Sequence, residues 1–332
     1  MRLKALVSRL GISVLLILVG IGTVLYTRTS SLRLVASGSN LSVVGARYHG
    51  HQQNASPPTI IRDGQHDEYL AACVVAQDQA LDLPEFLQHH YYDIGIQRFY
   101  ILDDGSRPPL SNFASTFGIP EEVVDFIHHD RVDGPAHSTQ AALIEECVKV
   151  WAVNNTWVAV IDVDEFFWTA EDESLQTILK QLEDTRSDVG ALKVDWMMHT
   201  SSNARLHTPS CRETFLECIY DDPAQNGTKS DNRHIKSIVR PRFYAKLVNP
   251  HKFHLLDGRI TVGEHGDEIK HFAYRQPITR DRVGLHHYVV KSWEDYRTKL
   301  TRSQLTWDFW NHVEHQLPHQ ACPEMLKYLR KP

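Results

Sequence analysis

Three short apolar runs constrain this chain more than any other feature. Residues 70–76 read LAACVVA, residues 98–102 RFYIL and residues 157–161 WVAVI. Continuous apolar runs of this length suit strands buried on both faces better than half-exposed ones. Between and after them the spacing turns helical. Pro84 suits a first helical turn. Phe86, Leu87, His90, Tyr91 and Ile94 then recur at helical spacing, and Gly95 ends the segment. A second helix is expected over residues 140–151, with Leu143, Cys147, Val150 and Trp151 on one face. Leu175, Ile178, Leu179 and Leu182 mark a third, and residues 123–127 and 190–194 read as further strands. Strand–helix alternation implies an α/β fold with a mainly parallel sheet that takes ligands at the carboxyl ends of its strands.

Two of the three runs end in acid. Asp103-Asp104-Gly105-Ser106 follows the second, and Asp162-Val163-Asp164-Glu165 follows the third. No GxGxxG or P-loop follows the first strand, so backbone amides are not arranged there for a dinucleotide or ATP. With no concentrated basic cluster in the sequence, a metal on carboxylates is the remaining way to hold phosphates. Asp162 and Asp164 offer hard oxygen donors suited to Mn²⁺ or Mg²⁺. Such an ion neutralises charge building on a departing diphosphate. The plain readings are that DxD occurs in acidic turns, and that Asp-Gly is ordinary turn chemistry with one Asp as a cap. A phosphatase-like hydrolase also places DxD after an apolar strand, with the first Asp as nucleophile. There a small residue stands two places after the second Asp; here it is Phe166.

Composition narrows the class. Of 332 residues 42% are hydrophobic, enough for a real core. Lys+Arg 35 against Asp+Glu 41 gives a net charge of −6, which argues against nucleic acid as a partner. Residues 10–26 carry no charge over 17 positions, with Arg2, Lys4 and Arg9 before them and Arg28 and Arg33 after. A bilayer core of ~30 Å needs about 20 apolar residues, with roughly 17–25 tolerated. The expected organisation is therefore a cytoplasmic tail at 1–9, a single transmembrane signal anchor at 10–26, a Ser- and Gly-containing stalk at 27–68 and a lumenal domain at 69–332. A cleaved signal peptide is the rival reading of the same run. Asn40, Asn54, Asn154 and Asn226 head Asn-x-Ser/Thr triplets that suit lumenal exposure.

The order of several motifs resembles glycosyltransferases of the family 92 and family 2-like group. These are residues 73–79 (CVVAQDQ), Glu85-Phe86, His90, Gly95, residues 99–106 (FYILDDGS), Gln140, Cys147 and residues 157–167 (WVAVIDVDEFF). Residues 236–241 (KSIVRP), His251, His287-Tyr288 and Lys291-Ser292 continue the set. The resemblance implies a GT-A-like mixed sheet flanked by helices. It also implies metal-dependent transfer of a sugar from a nucleotide-sugar donor, UDP-linked and with galactose as first guess, to a glycan or glycoconjugate hydroxyl with inversion. The setting implied is a Golgi or other secretory-pathway membrane in type II orientation. Asp162 and Asp164 would match the motif that holds Mn²⁺ and the donor diphosphate. Asp104, with Asp103, would contact the uridine. Asp78-Gln79 stands where relatives carry Asn-Glu, which keeps open a non-catalytic carbohydrate-binding protein on the same scaffold. Arg240 and Lys291 would face phosphates or form structural ion pairs. His287 would add an imidazole ligand to the metal, with His286 pointing the opposite way if the segment is extended.

An inverting transferase needs a carboxylate to accept the acceptor's proton. Glu213, Glu217, Asp221, Asp222 and Glu264 lie in the half of the domain where it is expected. Trp196 is either a platform for a sugar ring or core. Most of the twenty histidines are expected at the surface or core edge. Cys73 and Cys147 read as core residues, and Cys211 and Cys218 as a pair close enough to bridge in an oxidising compartment.

Overall fold

All three apolar runs are strands in the computed structural model, which describes residues 67–130, 136–221 and 230–329. The strands are β1 (Leu70–Ala76), β2 (Arg98–Asp104), β3 (Val124–His129), β4 (Trp157–Val160), β5 (Glu165–Thr169), β6 (Val189–Met198) and β7 (Glu217–Ile219). They continue with β8 (Ile235–Val239), β9 (Tyr244–Asn249), β10 (Lys252–Leu255), β11 (Ile260–Val262), β12 (Val283–His287) and β13 (His319–Ala321). One nine-stranded sheet runs β3-β2-β1-β4-β8-β6-β12-β5, with β11 also paired to β6. The pairings of β1 with β2 and β4, β2 with β3, and β6 with β11 and β12 are parallel. Those of β8 with β4 and β6, and of β12 with β5, are antiparallel. This is the mainly parallel mixed sheet expected from the sequence.

Burial on both faces is what the apolar runs implied. Ala72, Val74, Phe99 and Ile101 pack on one side with Phe86 and Leu87 of the helix Leu83–Gln88 and with Ile178, Leu179 and Leu182 of the helix Leu175–Thr185. Ala71, Cys73, Tyr100 and Leu102 pack on the other with Leu143, Ile144, Cys147 and Val148. The alternation is the two-residue period of a strand between two helical layers. The helix Ala136–Glu146 passes into a wider π-helical turn at Cys147–Trp151. That turn shifts the buried face: Val148 is enclosed and Val150, expected inside, is exposed.

Parallel pairing sends the carboxyl ends of β1, β2, β4, β6 and β12 to one edge of the sheet, where the antiparallel β5 and β8 begin. Both acidic clusters therefore reach the same edge. The cysteine reading needs correcting. Cys73 bonds Cys147, tying β1 to the helical layer, and Cys218 bonds Cys322, while Cys211 is free and buried. Cys218 lies on β7, whose neighbour β13 leads directly into Cys322, so sheet pairing rather than sequence proximity chose its partner. Most of the described histidines lie at the surface or core edge, as expected, but His89, His90, His199, His286 and His287 are buried. Among the described residues no helix is long and apolar enough to cross a membrane. Residues 10–26, most of the stalk, and Asn40, Asn54, Asp222 and Asn226 lie outside the described residues. Asn154 is exposed in a turn.

Candidate active site

The consecutive acids ending β2 have different surroundings. Asp103 Oδ1 accepts the backbone N–H of Ser106 at 2.9 Å. Its Oδ2 accepts that of Leu110 at 2.9 Å and pairs with His128 Nδ1 at 2.9 Å. Asp103 is thus spent on shaping the turn, as the plain reading of Asp-Gly expects. Asp104 Oδ1 is buried with no partner among the described residues. A buried carboxylate oxygen without a donor is costly, and a ligand's hydroxyl or N–H would relieve it.

The turn after β4 carries the other pair. Asp162 Oδ1 accepts from Gln140 Nε2 at 3.1 Å and its Oδ2 from Lys236 Nζ at 2.6 Å. Lys236, at the start of β8 and buried, also lies 3.3 Å from Glu165 Oε2. Burial would lower the Lys236 ammonium, but Asp162 and Glu165 hold it above its ordinary value. Burial pushes the Glu165 carboxyl up to about 8 despite Lys236, and Asp162 and Asp164 add to it. Glu165 Oε2 accepts the Asp162 N–H at 2.9 Å, which braces the turn.

Asp164 is buried and accepts a hydrogen bond from Lys299 Nζ at its Oδ2. Its Oδ1 lies 3.7 Å from His287 Nε2. Burial alone would raise this carboxyl, but Lys299, His287 and Lys291 outweigh it and hold it far below the usual carboxylate range. Burial holds His287 down at about 3, so the ring is neutral and able to donate a lone pair. His286 faces away, with its Nδ1 2.7 Å from His199 Nε2, as alternation along β12 requires.

Asp164 also lines a cleft of about 280 Å³ between the loop after β1 and the segment following β12. Asp78, Asp82, Lys291, Lys299 and Arg302 line it too. Lys291 donates to Asp82 Oδ1 at 2.6 Å. Asp78 (φ 52°) and Lys291 (φ 47°), one on each side, both take left-handed backbone conformations. Such strain costs about 1–3 kcal/mol and tends to collect at functional sites. Lys291, Lys299 and Arg302 thus bring to the cleft a basic group that the sequence holds within residues 291–302, contrary to the expectation of no basic cluster.

Two carboxylates and a neutral imidazole are a chemically suitable donor set for Mn²⁺ or Mg²⁺. The set is not drawn together, because Asp162 turns to Lys236 and Asp164 to Lys299. Among the described residues, the three ligand groups with atoms within 4.8 Å of one another are instead Glu264, His265 and Asp281. Glu264 is already committed: its oxygens accept the backbone N–H groups of Asp281, Arg282 and Val283 at 2.8–3.0 Å. It is therefore a loop brace and not a free base.

Other expected residues go elsewhere. Arg240 follows β8, which runs antiparallel, so it emerges at the opposite edge beside Trp157 and pairs with Glu183 at 3.3 Å. Asp221 is held by Ser230, Asn232 and Arg280, and Glu217 by Thr200 and His319. Glu213 is exposed on the short helix Cys211–Thr214. None of these lines the cleft, whereas Glu294 and Asp295 do. Asp295 closes a capping box with Ser292 and pairs with His207, while Glu294 Oε2 accepts the His207 N–H at 2.9 Å. No motif marked these carboxylates; the one local signal is the Ser292-x-x-Asp295 spacing of a helix start.

A glycosyltransferase family 92 model matches residues 68–317. A family 92 protein of Ricinus communis is 26% identical over 83% of this chain and 45% of its own length. Another, from Oryza sativa subsp. japonica, is 26% identical over 68% of this chain and 37% of its own. The chain thus spans less than half the length of these curated relatives. Among solved structures, a mannosyltransferase from Pyrobaculum calidifontis in complex with GDP-Man and Mn²⁺ is similar with a TM-score of 0.28. It is 17% identical over 42% of this chain and 39% of its own.

Proposed function

The chain belongs to glycosyltransferase family 92, and from that premise we propose that it transfers a sugar from a nucleotide-sugar to a hydroxyl of a glycan or glycoconjugate, with metal dependence. The observation that supports this reading is a sheet edge that carries Asp104 and Asp162 at the ends of parallel strands, beside Asp164, which lines a cleft with Lys291, Lys299 and Arg302. Acids that bind a cation and a nucleoside, beside cations that bind phosphate, make a site for a nucleoside diphosphate. Family membership sets aside the phosphatase-like reading. A UDP-linked donor, galactose as the sugar, inversion, and a type II Golgi or secretory-pathway membrane setting are parts of the same proposal.

Asp162, Asp164 and His287 would hold Mn²⁺ or Mg²⁺, which when bound supplies a Lewis acid for the donor diphosphate. Asp104 receives a hydroxyl or N–H of the nucleoside. Lys299 and Arg302 neutralise the leaving diphosphate, and Lys291, held by Asp82, fixes the wall of the cleft. The acceptor's proton passes to a cleft carboxylate. Glu294 suits that task, since Asp295 is engaged by Ser292 and His207 and Asp82 is paired with the Lys291 ammonium, whereas Glu294 accepts a backbone N–H.

The test is release of UDP from a panel of UDP-sugars by the purified full chain with Mn²⁺, repeated in EDTA. Metal-dependent release supports the reading. Release from no nucleotide-sugar, with intact folding, would leave a non-catalytic carbohydrate-binding protein.

A further inference from the structure

His287 lacks the hydrogen bond that orients most metal-binding imidazoles. Such a ring usually donates its second N–H to a carboxylate, a backbone carbonyl or water. Here Nδ1 is buried with no partner among the described residues, while Nε2 is the nitrogen 3.7 Å from Asp164 Oδ1. What the ring has instead is an aromatic neighbour. Leu285 of β12 pairs with Trp196 of β6 in parallel register, so His287, two residues on, projects from the same face as the indole. The two ring centroids are 4.3 Å apart, with the planes at 62°.

Trp196 is itself held from several directions. It is 8% exposed, too enclosed to offer a face to a sugar ring. His234 stacks on the indole with centroids 5.0 Å apart and planes 20° from parallel, and His251 meets it at 5.5 Å. Both supporting rings are tied to the backbone. His234 Nδ1 donates to the Asp231 carbonyl at 2.8 Å, and His251 Nδ1 to the Ile235 carbonyl at 2.7 Å. The Trp196 backbone N–H donates to the His234 carbonyl at 3.0 Å, and the Trp196 carbonyl accepts from Arg280 Nη1 at 2.7 Å. We propose that Trp196 is a positioning residue for His287: the indole, in place of a hydrogen bond, holds the imidazole with Nε2 toward Asp164. The inference rests on the reading of His287 as a metal ligand. Without the indole the imidazole gains freedom, and a cation must then order the ring at a cost in affinity.

The experiment titrates the full chain with Mn²⁺ alone by calorimetry, so it needs no turnover. His287→Ala and Trp196→Leu are measured singly and together. Trp196→Leu should weaken Mn²⁺ binding about tenfold, the lower end of what a metal site's supporting group is worth. In the His287→Ala background the same substitution should cost nothing further, because two changes that act through one ligand do not add. An indole that only fills the core would not show that dependence. Trp196→Phe, which keeps an aromatic wall, should retain most of the affinity. His234→Leu withdraws the stacked support and should weaken binding in the same His287-dependent way, which covers the case in which Trp196→Leu does not fold. Loss of affinity in His287→Ala but not in Trp196→Leu would overturn the positioning role and keep the ligand reading. Equal losses from Trp196→Leu with and without His287 would do the same. Unchanged affinity in His287→Ala would overturn both.

Discussion

Asp103 and Asp104 are adjacent at the end of β2, yet Asp103 is saturated by three donors while Asp104 Oδ1 has none among the described residues. Their asparagine variants should therefore fail differently. Asp103→Asn strands the N–H of Ser106 or Leu110 and loses the His128 pair, which should cost about 1–3 kcal/mol and lower the melting temperature. Asp104→Asn should leave the melting temperature unchanged or slightly raised. It should weaken UDP binding and raise KM more than it lowers kcat, since the contact acts in the ground state. Equal thermal loss in both variants would refute the division of labour.

Lys299 and the metal compete for Asp164 under the proposed reading. Lys299→Met removes the ammonium from Asp164 Oδ2, so Mn²⁺ alone should bind roughly tenfold more tightly, the scale of one charged hydrogen bond. UDP should bind less well in the same variant. Asp164→Asn and Asp162→Asn should abolish transfer. Asp164→Asn should also destabilise the fold more, because its side chain is 8% exposed and that of Asp162 33%. His287→Ala should lose about 10–100-fold in Mn²⁺ affinity, by analogy with removal of a metal site's supporting groups. His286→Ala should lower stability without that loss, since its partner is His199. Manganese titration by calorimetry separates these cases, and unchanged affinity in Lys299→Met would refute the competition.

What the sequence disclosed here were local properties. Strands buried on both faces announce themselves as unbroken apolar runs, and an acid that ends such a run must lie at the sheet edge. Lys299 was invisible because it reaches Asp164 across 135 residues of chain. Arg240 misled for the opposite reason: its motif is local, but the antiparallel direction of β8 carries it to the far edge. Of the expected bases within the described residues, Glu264 is committed to backbone N–H groups, Asp221 and Glu217 are held by neighbouring side chains and Glu213 is exposed, and an acidic side chain looks the same in sequence in each of these settings. The sequence placed His287 beside Asp164 only through a family resemblance, and spacing offered no support.

The disulfide arrangement is directly checkable. Non-reducing peptide mapping should yield Cys73–Cys147 and Cys218–Cys322, with Cys211 alkylated only after unfolding. Cys147→Ser should cost about 2–4 kcal/mol, the usual worth of closing a long loop. Cys211→Ser should leave both bonds intact. A Cys211–Cys218 peptide would contradict the fold around β7.

Stability should fall steeply as the solution is acidified. His89, His90, His199, His286 and His287 are buried, and burial holds each below its ordinary value, His199 and His287 at about 3. Between pH 6.5 and the folded values only the unfolded chain takes up these protons. Their contribution is therefore fully present above an unfolded value of about 6.5 and is lost as pH falls below it, at about 1.4 kcal/mol per pH unit for each group. Two buried acids act in the opposite sense. Burial raises Asp195 to about 7 and Glu165 to about 8, so below those values the folded chain holds the extra proton and gains stability on acidification. That offsets part of the histidine effect, to which His251, held by burial at about 4, adds, and the net slope remains a loss of stability on acidification. Melting temperatures across pH 5 to 7.5 test this, with His199→Gln expected to flatten the slope. A melting temperature that stays level down to pH 5 would show that these rings accept protons inside the fold.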